Sequence, residues 1–331
     1  MKSEELPYAT MLRDELPAVH ATMLEIQKRL PDPIASALAA IINGGGKRLR
    51  PALVLLSAHI FDVDTTSAIP VAAAVEMLHT ATLIHDDLID NALVRRGKQT
   101  LNANWSAAAT VLTGDVAFAW AAELATRSQN LKLVERFSKT LAIICNGELN
   151  QMFANRDRLP AEADYYGRIF AKTASLFALA AESGPLLACR PKADVQKLRR
   201  FGKLLGEAFQ IVDDVLDFMS DEDTLGKPVG SDLRQGIITL PVLHYCHRHP
   251  DDVRIHAVLS RAGYKHNAQV YDENTIESLI ADLRQSDAAE WAMQQAETRS
   301  TEAQALLETY PNTPYRRAMQ EIAAFAVRRQ Y

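Results

Sequence analysis

The segment ADVQKLRRFGKLLGEAFQIVDDVLDFM, Ala193–Met219, decides the fold. Its apolar residues Val195, Leu198, Phe201, Leu205, Phe209, Val212 and Leu216 step by three or four, which is one buried stripe on an α-helix of about seven turns. Helical punctuation recurs on both sides of it. Asp32 followed by Pro33 reads as an N-cap with proline at the first helical position, and Gly44 is placed to end that helix. Thr313–Pro314 repeats the signature before YRRAMQEIAAFAVRR. AAEWAMQQAETRSTEAQALLETY is rich in strong helix formers and stops at Pro311. No run shows strict period-2 alternation between turn residues, so the predicted fold is all-α, a bundle of long helices. Breaks are expected at Asn43–Lys47, Arg96–Thr100, Ser183–Pro185 and Asp221–Gly236, with a looser surface connection over His247–Asn274. Helical segments of similar character continue across each break. That favours one domain over residues 1–331, against the two that length alone suggests.

Composition bounds the function. The chain has 331 residues, 48% hydrophobic, with 36 Lys+Arg against 41 Asp+Glu for a net charge of −5, which disfavours a general nucleic-acid binder. Cys145, Cys189 and Cys246 are too few and too scattered for a disulfide framework or a zinc site, and they read as thiols of a reducing compartment. The N-terminal stretch has acids and prolines where a signal peptide needs an apolar run. No 18 consecutive apolar residues occur, so no integral membrane segment is expected and the expected location is the cytoplasm.

Two clusters share one pattern: Asp86-Asp87-Leu88-Ile89-Asp90 and Asp213-Asp214-Val215-Leu216-Asp217. On a helix the first and fifth positions lie on one face, where like charges destabilise. A solvated acidic face is the ordinary reading of one such cluster. Apolar flanks on both sides of each cluster fit it poorly. Carboxylates gathered without bases call for cations, and an all-oxygen set suits Mg²⁺ that keeps water and phosphate oxygens. Two such helices facing each other would clamp a diphosphate between several Mg²⁺ ions.

Phosphates also need donors. Gly44-Gly45-Gly46-Lys47-Arg48-Leu49-Arg50 is a glycine loop with bases, without P-loop spacing; Lys47 as a point charge and Arg50 as a planar fork suit a diphosphate. Arg95-Arg96 follows the first cluster, either as intrahelical ion pairs or as two diphosphate ligands. Lys172-Thr173 stands alone in an apolar helix, and Gln210 shares a face with the second cluster. His79 and His85 lie on the first cluster's helix, and His85 reads as a core histidine.

The residues GGGKRLRP, EMLHTATLIHDDLIDNALVRRGKQT, GELNQ, AKTASLF, GEAFQIVDDVLDF and TLGKPVGSDLRQGIITLP, in order from Gly44 to Pro241, resemble the trans-isoprenyl diphosphate synthases over about 60% of the chain. The resemblance, nearest the long-chain heptaprenyl, octaprenyl and solanesyl types, implies an isoprenoid-synthase bundle around a central cavity, usually dimeric. It implies Mg²⁺ on Asp86 and Asp90 with Asp87 in support, and on Asp213 with Asp214 and Asp217 nearby. Arg95, Lys172, Gln210 and Lys227 would contact an allylic diphosphate, with Thr173 and the Lys172 carbonyl facing the carbocation; Lys172, Thr173 and Gln210 form the expected catalytic group. Lys47, Arg50, His79 and Arg96 would hold isopentenyl diphosphate. The implied activity is head-to-tail condensation to a long polyprenyl diphosphate for quinone side chains.

Two departures stand out. Relatives often carry lysine where this chain has Ile237, so one phosphate contact is missing or supplied by Lys227 or another neighbour. The basic end Arg328-Arg329 reads as a solvated helix end rather than a closing tail. In such enzymes the residues one turn before the first cluster line the product tunnel. Ala81 and Thr82 stand there, without aromatic bulk, which implies a long product; its floor would lie among Phe118, Trp120, Met152 and Phe153, if these are not ordinary core. The alternatives are a medium-chain geranylgeranyl-type synthase, a terpene cyclase, a non-catalytic subunit, or a catalytic subunit that needs a small partner. The two basic groups argue against the cyclase, and two intact clusters argue against the non-catalytic subunit.

Overall fold

The computed structural model describes residues 7–95, 97–153, 159–220, 229–255 and 273–328. Its helices in chain order are α1 (Pro7–Met11), α2 (Glu15–Leu24), α3 (Asp32–Ile42), α4 (Leu49–Ile60), α5 (Thr65–Ile89), α6 (Leu101–Asn104), α7 (Ala107–Thr126), α8 (Leu131–Phe153), α9 (Glu162–Ile169), α10 (Ser175–Leu187) and α11 (Lys192–Met219). They continue with α12 (Ser231–Arg234), α13 (Leu240–Arg248), α14 (Glu273–Gln285), α15 (Ala288–Leu307) and α16 (Pro314–Arg328). Among the described residues the only strands are β1 (Val94–Arg95) and β2 (Lys98–Gln99), a two-rung hairpin turned by Gly97 at φ 73°. The expected all-α class holds.

Most of the expected helix ends hold too. The hydroxyl of Thr313 accepts the Arg316 N–H at the start of α16. At α3 the boundary moves by one residue: Pro31 caps and Asp32 is the first helical residue, where its carboxylate still meets the positive end of the dipole. The break expected at Ser183–Pro185 is absent, because α10 runs through Pro185. The Gly184 N–H donates to Ser57 Oγ, and a Cβ on Gly184 would fall 2.3 Å from the Ser57 backbone. Close helix contact there holds the chain helical until just past the proline.

The fold divides into two compact units, each assembled from separate stretches of chain. In the first (residues 1–141, 176–202 and 304–322), α5 packs against α7, α4 and α2, and Val71–Leu78 is buried throughout. A Cβ on Gly114 of α7 would lie 2.2 Å from the His85 ring, so glycine there permits the approach of α7 to α5. In the second unit (142–175, 203–303 and 323–331), Ala208, Ile211, Val212, Val215 and Phe218 of α11 form a core with Leu240, Leu243, Ile276, Leu279 and Leu283. Phe209 and Leu216 of the expected stripe are only half-buried, while Leu204, Ala208 and Ile211 are buried. Neighbours cover α11 on more than one side, so its apolar surface is wider than a single stripe.

Two helices, Thr65–Ile89 and Ala107–Thr126, are long and apolar enough to cross a membrane by length and composition; counting uninterrupted apolar residues had passed over them. The first reads as a core helix, with two thirds of its apolar window buried and Glu76, Asp86 and Asp87 along it. The second is less covered and exposes Val111 and Leu112.

Candidate active site

The first aspartate cluster closes α5. Asp86 and Asp87 lie in its last turn and Asp90 is its C-cap, so three carboxylates crowd the negative end of the helix dipole. Each anion there costs about 0.3–1 kcal/mol. Asp90 is exposed and Asp86 half-buried, while Asp87 is buried and accepts a 2.6 Å bond from Arg95 Nε. Burial pushes the Asp87 carboxyl upward, and the Arg95 guanidinium opposes that shift. Arg95 thus forms an ion pair across the turn, anchored in β1. Arg96 lies outside the described residues.

The second cluster occupies the last two turns of α11, and two of its three carboxylates are buried. Asp214 is buried and accepts from Tyr165 Oη at 2.7 Å and from Gln210 Nε2 at 2.8 Å. Burial, with the Asp232 charge behind it, pushes its carboxyl up to about 7. Asp217 is buried and accepts the backbone N–H of Asp232 at 3.0 Å, while its carbonyl accepts the Gly230 N–H at 2.8 Å. These bonds pin the stretch leading into α12 to the end of α11. Asp213 is half-buried and is the most open of the three.

Between α9 and α10 the helix widens into one π-helical turn, Phe170–Ala174, in which the Ser175 N–H reaches back to the Phe170 carbonyl. Such bulges often mark functional sites, since the extra residue re-aims its side chains. Lys172 and Thr173 stand in this turn. Thr173 Oγ1 donates to Gln210 Oε1 at 2.6 Å, so Thr173, Gln210, Asp214 and Tyr165 form one continuous line of hydrogen bonds. Lys172 meets Glu148 of the GELNQ stretch at 3.1 Å. Gly147 makes that approach possible, because a Cβ on it would fall 2.4 Å from the Ala171 Cβ.

Beside this line is a cavity of about 80 Å³ lined by Lys172, Gln210 and Asp214 together with Gln151, Arg168, Ile169, Asp232, Ile237 and Thr239. The sequence pattern points to the first three; the fold adds Arg168 and Asp232 to the lining and sets Tyr165 against Asp214. In the sequence Tyr165 and Arg168 lie one to two turns before Lys172, and Asp232 falls in the motif TLGKPVGSDLRQGIITLP.

The glycine loop precedes α4. Arg48 caps that helix in the left-handed region (φ 49°), pairs with buried Glu76 at 2.8 Å and donates to the Ile42 carbonyl. It is therefore a strut, flanked by exposed Lys47, whose carbonyl accepts from Tyr8 Oη, and half-buried Arg50, whose guanidinium sits 4.5 Å from the Phe177 ring centroid. His79 is half-buried on α5 and its carbonyl accepts from Thr82 Oγ1. Lys227 and Arg329 lie outside the described residues, and Arg328 is exposed, its Nε donating to the Ala324 carbonyl.

A family model described as polyprenyl synthetase matches residues 31–276 of this chain. The chain belongs to the polyprenyl synthetase family. It is an enzyme, a prenyltransferase. Octaprenyl diphosphate synthase of Escherichia coli (strain K12) is 37% identical over 292 residues, covering 87% of this chain and 88% of that protein. Component 2 of the heptaprenyl diphosphate synthase of Geobacillus stearothermophilus is 34% identical over 97% of this chain and 98% of that one. Among solved structures, a polyprenyl synthase from Caulobacter crescentus CB15, complexed with calcium and isoprenyl diphosphate, superposes with TM-score 0.89 at 33% identity, covering 98% of both chains.

Within this polyprenyl synthetase the carboxylates fit a hard divalent cation. They are oxygen donors placed where the helix dipole penalises them, so a bound cation would offset a cost the fold otherwise bears. Among the described residues no three His, Cys, Asp or Glu side chains already converge as they would around an ion.

The tunnel residues fall into place unevenly. Ala81 is fully buried, and Thr82 is half-buried. Phe118 is half-buried against His85, ring centroids 5.2 Å apart. Trp120 is buried, but the guanidiniums of Arg29 and Arg127 lie 4.7 and 5.0 Å from its ring centroid, a charged rather than an apolar surrounding. Met152 is half-buried and Phe153 is 71% exposed, so Phe153 forms no part of a buried floor in the single chain.

Proposed function

We propose that this chain condenses isopentenyl diphosphate head-to-tail with an allylic diphosphate and extends it to a long all-trans product, heptaprenyl to decaprenyl, for a quinone side chain. The observation carrying this reading is that both aspartate clusters are complete, each at the C-terminal end of a long helix, in a polyprenyl synthetase chain. Ala81, small and fully buried one turn before the first cluster, supports the long product.

Asp86, Asp90 and Asp213, the least buried carboxylates, are assigned to divalent cations, taken as Mg²⁺, which when bound draw negative charge onto the leaving diphosphate. Asp87, Asp214 and Asp217 then serve mainly to hold these carboxylates in position. Arg95, Lys172, Gln210 and Lys227 are assigned to the allylic diphosphate, and Lys47, Arg50, His79 and Arg96 to isopentenyl diphosphate. As the allylic C–O bond breaks, Lys172 is a fixed cation for the departing oxygens, held by Glu148 until substrate competes for it. The line from Thr173 through Gln210 fixes the dipoles facing the allylic carbons. The alkene of isopentenyl diphosphate attacks that cation, and loss of a proton to a diphosphate oxygen restores a trans double bond.

Purified protein with Mg²⁺, farnesyl diphosphate and labelled isopentenyl diphosphate tests this, with product length read by chromatography. Labelled long-chain product is expected; no incorporation, alone or with added lysate, would overturn it. The similarity to a protein named as component 2 favours a second reading, a catalytic subunit that works only with a small partner, and activity appearing only with lysate would select it. Otherwise a cytoplasmic homodimer is the proposed form. Three free cysteines and the exposed Val111 and Leu112 of α7 support that form, and light scattering of the purified protein checks it.

A further inference from the structure

Position 237 is an apolar isoleucine in the lining of an otherwise mostly polar cavity, at a place where the family resemblance implies a lysine. The cavity beside the second cluster shows what stands near that gap. Ile237 and Arg168 line the same cavity, and Arg168 Nη2 donates to the carbonyl of Ile238, the very next residue, at 2.8 Å. The Arg168 guanidinium also lies 5.4 Å from the ring centroid of Tyr165, whose hydroxyl holds Asp214. The side chain is thus placed from two sides.

A single carbonyl uses one N–H of a guanidinium that carries several, so the rest of the fork remains for an anion. Charge placement points the same way. Arg168 and Lys172 are four residues apart and are the two cations lining this cavity, which the carboxylates of Asp214 and Asp232 also line. Glu148 already offsets Lys172, so a diphosphate carrying divalent cations would bring phosphate oxygens to the two bases and its cations to the carboxylates.

We propose that Arg168 is a substrate-binding residue of this enzyme, supplying to the allylic diphosphate the positive charge absent at position 237. The charge has moved from the loop before α13 to the end of α9, while the cavity it serves is the same. This assignment rests on the prenyltransferase reading above.

The test uses full-length protein and two readouts: calorimetric binding of inorganic pyrophosphate with Mg²⁺, and KM for each substrate. Arg168→Gln should weaken pyrophosphate binding and raise the allylic KM by about tenfold or more, the worth of one charge-assisted hydrogen bond, and leave the isopentenyl diphosphate KM unchanged. Adding Ile237→Lys to Arg168→Gln should restore affinity to within about threefold, since the cation returns to the same cavity. A strut holding the Ile238 carbonyl would not be rescued that way, so failure of rescue, or Arg168→Gln binding like the parent, overturns the assignment. Should Arg168→Gln not fold, Ile237→Lys alone decides. It should change pyrophosphate affinity by about twofold or less where Arg168 already supplies the charge, and a gain of about tenfold would show that the site lacks its cation. Parent protein that neither binds pyrophosphate nor transfers prenyl groups would count against the enzyme reading, and an active parent with an indifferent Arg168→Gln against this inference alone.

Discussion

Asp86-Asp87-Leu88-Ile89-Asp90 and Asp213-Asp214-Val215-Leu216-Asp217 are the same pattern in letters and different objects in three dimensions. At the end of α5 one carboxylate of three is buried and paired with Arg95, one is half-buried and one exposed, all with the helix dipole against them. At the end of α11 two of three are buried and hydrogen-bonded to Tyr165, Gln210 and the Asp232 backbone. The first cluster is the more exposed of the two. The second is more deeply built into the fold, with Asp213 its least buried carboxylate. A shared motif therefore does not imply shared energetics: burial and partners decide which carboxylates bind and which brace.

Substitutions can break this contrast, and the largest effect belongs to the open carboxylates. Asp86→Ala, Asp90→Ala and Asp213→Ala should each cut kcat by about 10²–10³-fold, the scale of losing one charge-stabilising group. The melting temperature of Asp90→Ala should hold or rise slightly, because it removes an exposed anion from the C-terminal end of a helix. A large loss of stability in Asp90→Ala would erase the distinction.

Asp214→Ala should do the reverse of Asp90→Ala in stability. It strands the buried Tyr165 hydroxyl and the Gln210 amide, at a cost of about 1–3 kcal/mol, so thermal denaturation should shift down by several degrees. An unchanged melting temperature would mean that the line from Thr173 to Tyr165 contributes nothing to the fold.

The pH dependence follows from the same residue. Asp214 binds its proton more tightly folded (about 7) than unfolded (3.8). Its contribution to stability is therefore complete below the unfolded value and is lost as pH rises through about 7. In EDTA the melting temperature of the parent should fall between pH 5 and 8 more steeply than that of Asp214→Asn. Parallel curves would remove Asp214 as the cause.

The smallest effect on rate, and the sharpest on outcome, is expected one turn before the first cluster. Ala81→Phe places a ring where the parent has a buried methyl, at about 1–3 kcal/mol of overpacking, and should shorten the product. Unchanged product length with a folded protein would remove Ala81 from the tunnel.

Much of this was legible in the residues alone. Stepping by three and four sets the helices, because an amphipathic period survives any arrangement of neighbours. Asp-Asp-x-x-Asp places carboxylates on one face for the same reason. Contacts between residues distant in the chain were not legible. The run through Pro185 depends on Ser57, the Lys172–Glu148 pair on Gly147 against Ala171, and the binding of Asp214 on Tyr165, 49 residues away. The exposure of Phe153 also ran against its apolar character, since one side chain's hydrophobicity does not say whether a neighbour covers it.

The sequence by itself determined the all-α class, most of the helices, and the inventory of carboxylates and bases, since these depend on local periodicity and residue chemistry. Only the tertiary structure decided which of those charges are spent on each other. Desolvation and hydrogen-bond partners come from distant segments, and they left Asp86, Asp90 and Asp213 the more open carboxylates while burying Asp87, Asp214 and Asp217 in the fold.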